Sequence, residues 1–201
     1  MKMSSNTLTS IELNALEGVL DSYITQKTSI ALSSLLGESI RHIVKQTHVE
    51  ISKIGDMNKV VKEIVACSVF LYGGGDIRLG ILYTMPEPDA KRLAAKLMCI
   101  DKIDSLDDLS KSAISEVGNI MSGSFFNALS DHTGLKVELS TPDFAMTSIS
   151  ALLEPHASEF VCPTSDMVTE VEFMGNDSGL RLHMLIIQDY DNARKLMNST
   201  R

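Results

Sequence analysis

The chain has 201 residues, and its 18 Lys and Arg against 26 Asp and Glu give a formal net charge of −8. Hydrophobic residues make up 44% and charged residues 22%, which is typical of a folded globular protein and excludes disorder as the main state. An acidic chain without a basic cluster is a poor partner for nucleic acid or an anionic membrane surface. We expect a single domain over residues 1–201.

The N-terminus and the cysteines indicate the compartment. The N-terminal segment has no apolar signal core, and no apolar run approaches the roughly 20 residues of a membrane span. Cys67, Cys99 and Cys162 are widely spaced, with no neighbouring Cys or His cluster. We therefore expect a cytoplasmic protein with buried thiols, without a disulfide framework, a metal site or a membrane-inserted segment.

The predicted elements begin with a long helix. Thr9 to Glu12 fit a capping box, and the apolar periodicity that follows runs to about Leu36, just before Gly37. The pattern then predicts a strand over 48–53, a hairpin over 64–72 and 77–85 joined by three glycines, and a short helix over 88–98.

A second series of elements repeats this order. The pattern predicts a long helix from about Ser105 to Asp131, a strand over 136–140, a hairpin over 168–174 and 180–187, and a short helix over 190–197. Ala-Leu-Ser at 31–33 recurs at 128–130, and Arg78-Leu79 recurs as Arg181-Leu182. The sequence therefore predicts two internal copies, about 8–100 and 104–201, related by a pseudo-twofold axis. We expect an α+β fold with one largely antiparallel sheet of about six strands and two long helices packed on it.

The second long helix carries a polar line. Ser112, Glu116, Asn119 and Gly123 follow one another at steps of four, three and four, which places them on one face. A stripe of small and apolar side chains is expected to face the sheet: Leu109, Ala113, Val117, Ile120, Met121, Ser124 and Ala128. Gly118 and Gly123 each lower helix propensity by up to ~1 kcal/mol, which indicates a close approach to this helix.

Ser112, Glu116, Asn119 and Pro142 are separated by three, two and 22 residues. This pattern resembles the signature of the CheC/CheX/FliY family of chemotaxis phosphatases. The neighbouring sequences Glu-Val-Gly-Asn-Ile at 116–120 and Ala-Leu-Ser at 128–130 are similar to that family too. The duplicated plan extends the resemblance to essentially the whole chain, and the two-copy CheC type is the member that it resembles most.

The resemblance implies a function. Such proteins hydrolyse the aspartyl phosphate of the response regulator CheY, which holds its own Mg²⁺, so no cofactor is expected on this chain. By position, Asn119 takes the role of the catalytic amide, and Glu116 that of the carboxylate that engages a lysine of CheY. Pro142 would shape the adjacent strand and loop, and Ser112 is a peripheral signature position. CheC-type members also bind CheD, which makes CheD a candidate partner.

The first copy departs from the signature. Aligned through Ala-Leu-Ser, Ala15, Val19 and Ser22 stand where Ser112, Glu116 and Asn119 stand in the second copy. If the alignment follows Val49-Glu50-Ile51-Ser52, Ile54 corresponds to Pro142, and the first copy carries about nine extra residues within 38–48. We expect this segment to extend the first helix beyond Gly37. We also expect only the second copy to be a phosphatase site.

Two alternatives to a phosphatase remain. One is a non-catalytic binding or adaptor protein for CheY, CheD or a component of the flagellar switch, because a duplicated sheet offers docking surfaces. The other is a small-molecule sensor, which would require a sizeable apolar pocket.

Overall fold

The computed structural model describes residues 7–51, 66–156 and 166–200. The first long helix consists of three consecutive segments: α1 (Ser10–Val19), a π-helical segment (Leu20–Thr25) and α2 (Gln26–Leu36). The elements that follow up to the second long helix are β1 (Ile40–Ile51), β2 (Ala66–Gly75), β3 (Leu79–Met85), α3 (Glu87–Leu97) and α4 (Asp108–Thr133). The remaining elements are β4 (Val137–Leu139), β5 (Asp143–Thr147), α5 (Ile149–Leu153), a 3₁₀ turn (Glu154–His156), β6 (Asp166–Gly175), β7 (Arg181–Asp189) and α6 (Tyr190–Ser199).

The ends of the first long helix explain its length. The Thr9 side chain accepts a hydrogen bond from the backbone of Glu12, and the Glu12 carboxylate accepts one from the backbone of Thr9, which confirms the capping box. Gly37 ends the helix in the left-handed region with φ of 63°, and its N–H donates to the Ser33 carbonyl. The predicted helix extension beyond Gly37 is wrong, because the chain turns there and β1 begins at Ile40.

All seven strands of the described residues form one antiparallel sheet. Its order is β1-β6-β7-β3-β2-β4, and β5 also pairs with β2. The α+β class and the antiparallel sheet are confirmed. The expectation of about six strands missed β5, which continues the edge that β4 begins, and it also missed the short helix α5.

The strand order reads the same from both ends when the two copies are exchanged. Under this exchange β1 corresponds to β4, β2 to β6, and β3 to β7. Exchanging the members of each pair reverses the order of the strands in the sheet and leaves it otherwise unchanged. The symmetry axis would pass between β3 and β7, which are paired at the centre of the sheet. Each copy's first strand pairs with the other copy's hairpin, β1 with β6 and β4 with β2. This order supports the two-copy organisation predicted from the sequence.

The strand register corrects the predicted alignment of the copies. Ile40 pairs with Gly175 just as Val137 pairs with Gly75, and each strand begins three residues after the helix-ending glycine. The nine extra residues predicted within 38–48 are therefore not an insertion, because 40–51 is the first copy's equivalent of β4 and β5. In this register Lys45 corresponds to Pro142. The predicted counterpart Ile54 lies outside the described residues.

The helices and the short α5 cover opposite faces of the sheet. α1, α2, α3, α4 and α6 contribute to the larger core, in which Leu16, Leu32, Phe125, Leu129 and Leu196 are all fully buried. On the other face, Ile149, Leu152 and Leu153 of α5 pack with Phe70 and Leu185. The long helices thus lie side by side on one face, and their outer sides are available to solvent.

The first long helix contains one residue more than the second. The span from the N-cap Thr9 to Gly37 exceeds the span from the N-cap Asp107 to Gly134 by one position. The π-helical segment Leu20–Thr25 accommodates this residue in a wide turn. The buried Thr25 hydroxyl donates to the carbonyls of Leu20 at 2.9 Å and Asp21 at 3.2 Å, which satisfies groups at the irregular turn.

The structure bears on the predictions about membrane spans and about the cysteines. Within the described ranges, no helix has both the length and the hydropathy needed to cross a bilayer. The Cys67 thiol is buried, as expected, but Cys99 is exposed, so the expectation that all the thiols are buried is wrong. Cys162 lies outside the described residues.

Candidate functional site

The face by which α4 packs on the sheet differs from the predicted stripe. Its buried residues are Ser110, Ile114, Val117, Gly118, Met121, Ser122, Phe125, Phe126, Leu129 and Thr133. Of the predicted stripe, only Val117 and Met121 are among them, and Leu109 is 62% exposed. The stripe was wrong because small residues such as Gly118 and Ser122 replaced large apolar ones at buried positions, which concealed the helical periodicity.

Gly118 brings α4 close to the sheet. A Cβ atom at this position would lie 2.7 Å from Cγ1 of Val69 and 3.5 Å from Cδ2 of Tyr83. One turn later, the Ser122 hydroxyl donates to the buried Tyr83 hydroxyl at 3.2 Å, and burial raises the pKa of that phenol. The close approach predicted from the glycines is thus confirmed at Gly118. At Gly123 a Cβ would meet nothing within 4 Å.

Glu116 and Asn119 lie on the outer side of α4. The Glu116 side chain is exposed, Asn119 is half-buried, and Nδ2 of Asn119 lies 3.5 Å from Oε2 of Glu116, at the limit of a hydrogen bond. In the part of the chain that the structure describes, no Lys or Arg forms an ion pair with Glu116. Ser112 is also exposed, and its hydroxyl donates to the Asp108 carbonyl at 2.8 Å. The amide and the carboxylate therefore both lie on the outer side of the helix.

Pro142 interrupts the edge strand beside this helix. β4 pairs with Gly73–Gly75 and β5 pairs with Ala66–Phe70, and the half-buried Pro142 lies in the bend between them. Proline has no N–H with which to continue a strand ladder, so the edge breaks here. Val69 pairs with Phe144 and also lies under Gly118. The strand that follows Pro142 consequently runs beside the segment of α4 that carries Asn119.

The additional residue in the first helix shifts the equivalent positions of the first copy. Counted from the N-caps, Ser112, Glu116 and Asn119 correspond to Asn14, Gly18 and Asp21, each one residue before Ala15, Val19 and Ser22. Burial supports this register, because Leu16 and Leu20 are buried like Ile114 and Gly118. Sequence alignment through Ala-Leu-Ser missed the shift, since that match lies after the π-helical segment.

The equivalent surface of the first copy has different chemistry. Oδ1 of Asp21 lies 3.4 Å from Nε2 of His42, and Oε1 of Glu17 accepts the backbone N–H of Thr47 at 3.0 Å. These side chains line an open groove of about 430 Å³ between α1 and β1. The first copy thus presents two carboxylates and an imidazole where the second copy presents one carboxylate and an amide.

The described surface has open grooves and no cluster of metal ligands. Among the described residues, no group of three or more His, Cys, Asp or Glu side chains is placed to hold a metal ion. A second open groove of about 450 Å³ lies between α2 and α4, with Lys27, Asn127 and Asp131 among its lining residues. Both grooves are wide open and partly polar, which does not favour a buried apolar ligand.

The segment that carries these residues is similar to known proteins. The model of the CheC-like family matches residues 109–146, the segment that carries the helix line and Pro142. The CheY-P phosphatase CheC of Bacillus subtilis is 27% identical to this chain over 141 residues, which cover 67% of this chain and 68% of that protein. The chain is similar to CheC-like proteins of the CheC/CheX/FliY family.

Two solved structures share the fold of this chain. Thermotoga maritima FliY matches with a TM-score of 0.77 at 18% identity, covering 96% of this chain and 97% of that one. The FliM middle domain of Helicobacter pylori matches with a TM-score of 0.67 at 8% identity, covering 96% and 100%. The fold of this chain therefore also occurs in FliY and in the FliM middle domain.

Proposed function

We propose that this CheC-like protein hydrolyses the aspartyl phosphate of a CheY-type response regulator, at one site in its second copy. The observation that carries the proposal is the outward position of Glu116 and Asn119 on α4, within the segment matched by the family model. The similarity to a CheY-P phosphatase supports the same reaction and the same class of partner.

The reaction requires little covalent assistance. Water attacks the phosphorus, the bond from phosphorus to the aspartyl oxygen breaks, and inorganic phosphate and a free carboxylate are released. Because an acyl phosphate is already reactive, the main requirement is a water molecule held in line with the leaving oxygen. The Asn119 amide can accept a hydrogen bond from that water through its oxygen and donate one through its NH₂. An amide is not a competent general base, so its role is to position the water.

Glu116 serves docking. Its exposed carboxylate has no cationic partner among the described side chains, so it is available to a lysine of the regulator. A charge pair across an interface fixes register and favours the correct partner. The Mg²⁺ of the reaction is held by the regulator in this proposal. The described part of this chain offers no metal-ligand cluster of its own.

The first copy is proposed to be inactive. Gly18 occupies the position of Glu116 and cannot pair with a lysine, and Asp21 occupies the position of Asn119. A carboxylate at that place would repel a phosphoryl group and already lies 3.4 Å from His42. The family resemblance makes CheD a candidate second partner. A cytoplasmic location is a separate prediction.

A non-catalytic role is the second candidate. The likeness to the FliM middle domain over 96% of this chain favours a binding or adaptor function, with CheY, CheD or a flagellar-switch component as the partner. In that case the α4 surface would bind the regulator without accelerating loss of its phosphate.

The two candidates differ in one measurement. Phosphate release from each phosphorylated response regulator of the same cell is followed with the wild-type chain and with Asn119→Ala. We expect the wild type to accelerate release and Asn119→Ala to lose roughly 100-fold of the rate, the scale of a positioning effect. Asp21→Ala, in the first copy, is the matched control and should retain the wild-type rate. Equal rates with and without the Asn119 amide would overturn the phosphatase proposal and favour the adaptor.

A further inference from the structure

Leu109 is an exposed apolar side chain on the same face of α4 as the proposed site. It is 62% exposed and is the second residue of the helix. Glu116 follows Leu109 by seven positions, which is close to two turns, so the two side chains project in similar directions and lie about 10 Å apart along the axis. The exposed Ser112 lies between them. We call Leu109, Ser112, Glu116 and Asn119 the α4 line.

The first turn of α4 holds Leu109 in place. The N-cap Asp107 accepts hydrogen bonds from the backbone N–H of Ser110 at 2.8 Å and from its hydroxyl at 2.6 Å. Ser110 itself is 1% exposed, so this turn is anchored on the protein. Because the backbone at Leu109 is already ordered, binding of a partner there requires no further ordering of this turn.

Packing among the described residues does not account for Leu109. α4 contacts the core through Ser110, Ile114 and Val117, which point away from the α4 line. Single exposed apolar residues are common on protein surfaces, so exposure alone indicates nothing. What distinguishes Leu109 is its position at one end of a line that already carries the carboxylate and the amide of the proposed site.

Ile11 of the first copy provides an internal comparison. It is the second residue of α1, two positions after the N-cap Thr9, and it is 81% exposed. Its helix carries Gly18 and Asp21 where α4 carries Glu116 and Asn119. Ile11 therefore matches Leu109 in place and exposure but lacks the neighbouring pair.

We infer that Leu109 is a docking residue that contacts an apolar patch of the receiver domain whose lysine pairs with Glu116 and whose aspartyl phosphate faces Asn119. This inference rests on the proposed function and adds the apolar contact that sets the affinity for the receiver. Polar pairs fix register, whereas burial of an apolar side chain adds binding free energy in proportion to the apolar surface removed from water. Leu109 lies too far along the helix from the amide to touch the reacting water, so it acts on binding and not on the chemical step.

The first test separates binding from chemistry. Phosphate release is measured over a range of concentrations of a phosphorylated receiver from the same cell, with the wild type, Leu109→Ser and Ile11→Ser. We expect Leu109→Ser to raise KM about tenfold, which corresponds to the loss of roughly 1.4 kcal/mol of apolar contact, and to leave kcat unchanged. Ile11→Ser should leave both constants unchanged, and Leu109→Met should restore KM to within about twofold of the wild type.

The second test does not depend on turnover. The receiver is loaded with beryllofluoride and Mg²⁺, which mimic the phosphorylated state. Its affinity is then compared between the single variant Asn119→Ala and the double variant that also carries Leu109→Ser. We expect the same tenfold loss on adding Leu109→Ser. A wild-type KM and affinity in the Leu109→Ser chain, together with inactive Asn119→Ala, would overturn the docking role and leave the phosphatase proposal standing. Weakened affinity in Leu109→Ser, together with full turnover by Asn119→Ala, would support the docking role of Leu109 and overturn the phosphatase proposal. Equal weakening by Ile11→Ser would also overturn the docking role.

Discussion

Gly118 of α4 lies directly over Val69 of β2, so closely that a Cβ on the glycine would approach Cγ1 of the valine to 2.7 Å. This contact lies within the segment of helix between Glu116 and Asn119. The distance between the helix and the sheet therefore sets how far the amide and the carboxylate project. Two glycines of the same helix, one in contact with the sheet and one not, allow this relationship to be tested.

Gly118→Ala should push α4 away from β2. We expect it to destabilise the protein by about 1–3 kcal/mol, because the new methyl group overpacks a site in which Val69 is 1% exposed. We also expect kcat for phosphate release to fall at least tenfold, since a small displacement of the amide misplaces the water. Chemical denaturation and single-turnover assays measure the two effects.

Gly123→Ala is the control for that experiment, because a Cβ there meets nothing within 4 Å. It should stabilise the helix by about 0.5–1 kcal/mol through the better helix propensity of alanine. A Gly118→Ala protein as stable as Gly123→Ala would contradict the close-approach argument.

Glu116→Gln should weaken docking more than chemistry. The substitution keeps the shape of the side chain but removes the charge available to a lysine of the regulator. We expect KM for the phosphorylated regulator to rise about tenfold at low salt and less at 0.5 M salt, because screening reduces the attraction in the wild type. Asp131→Asn, an exposed carboxylate near the other end of α4, should change KM by less than about twofold. A loss confined to kcat would show that Glu116 takes part in the chemical step instead.

Glu38 links the first long helix to the β6–β7 loop and should make stability depend on acid pH. Burial opposes ionisation of its carboxyl, but hydrogen bonds from Ser178, Lys96 and the backbone N–H of Asp177 outweigh burial and lower its pKa to about 2. Because the pKa is lower in the folded state than in the unfolded state, the stabilisation is complete above about pH 4.5. It is lost as the pH falls towards 2.

Glu38→Gln tests this linkage. At pH 7 we expect the variant to be less stable than the wild type by on the order of 3 kcal/mol, and the difference should shrink between pH 4.5 and pH 2. Glu87→Gln, which removes a carboxylate that is 49% exposed and pairs with Lys91, should cost less than about 0.5 kcal/mol. Denaturant titrations at several pH values give both differences. A pH-independent difference would show that the Glu38 carboxylate is not the linked group.

Thr25→Val should destabilise the π-helical segment. The isosteric change removes the hydroxyl that donates to the Leu20 and Asp21 carbonyls in a fully buried setting. A cost of about 1–3 kcal/mol is expected from the unsatisfied buried groups. Ser34→Ala, which removes an exposed hydroxyl bonded to the Ile30 carbonyl in the same helix, should cost about 0.5 kcal/mol or less. Phosphatase activity should survive Thr25→Val in whatever fraction remains folded, because the proposed site belongs to the other copy.

The sequence predicted the features that depend on local signals. Capping of the first helix at Thr9 and its end at Gly37 follow from residues within a few positions of one another, and the structure has both. The hairpins also formed close to their predicted positions, although the turn of the first lies after its glycines. Gly73 lies within β2, and a side chain is excluded at this position because a Cβ would approach the Phe126 ring to 2.5 Å. The glycine run thus reflects packing against α4, which local turn chemistry cannot indicate.

The features that sequence reasoning missed depend on distant contacts. β1 begins at Ile40 because β6, more than 110 residues away along the chain, provides its hydrogen-bonding partner. The one-residue shift in the first helix arises from a wide turn that no residue type specifies by itself. Only the buried positions Leu16 and Leu20, compared with Ile114 and Gly118, reveal it. The exposed pair on α4 was accessible from spacing, whereas the role of Leu109 required knowledge of which helix face packs on the sheet.

The exchange of first strands between the copies has a kinetic consequence. The pairing of β1 with β6 cannot form until residues 166–175 have been synthesised, since the two strands lie more than 110 residues apart along the chain. Such high contact order slows folding and leaves a nascent first half with unpaired strand edges exposed to aggregation. Two halves expressed as separate polypeptides would each lack an edge that the other provides, so they should recover a complete sheet only by associating with one another.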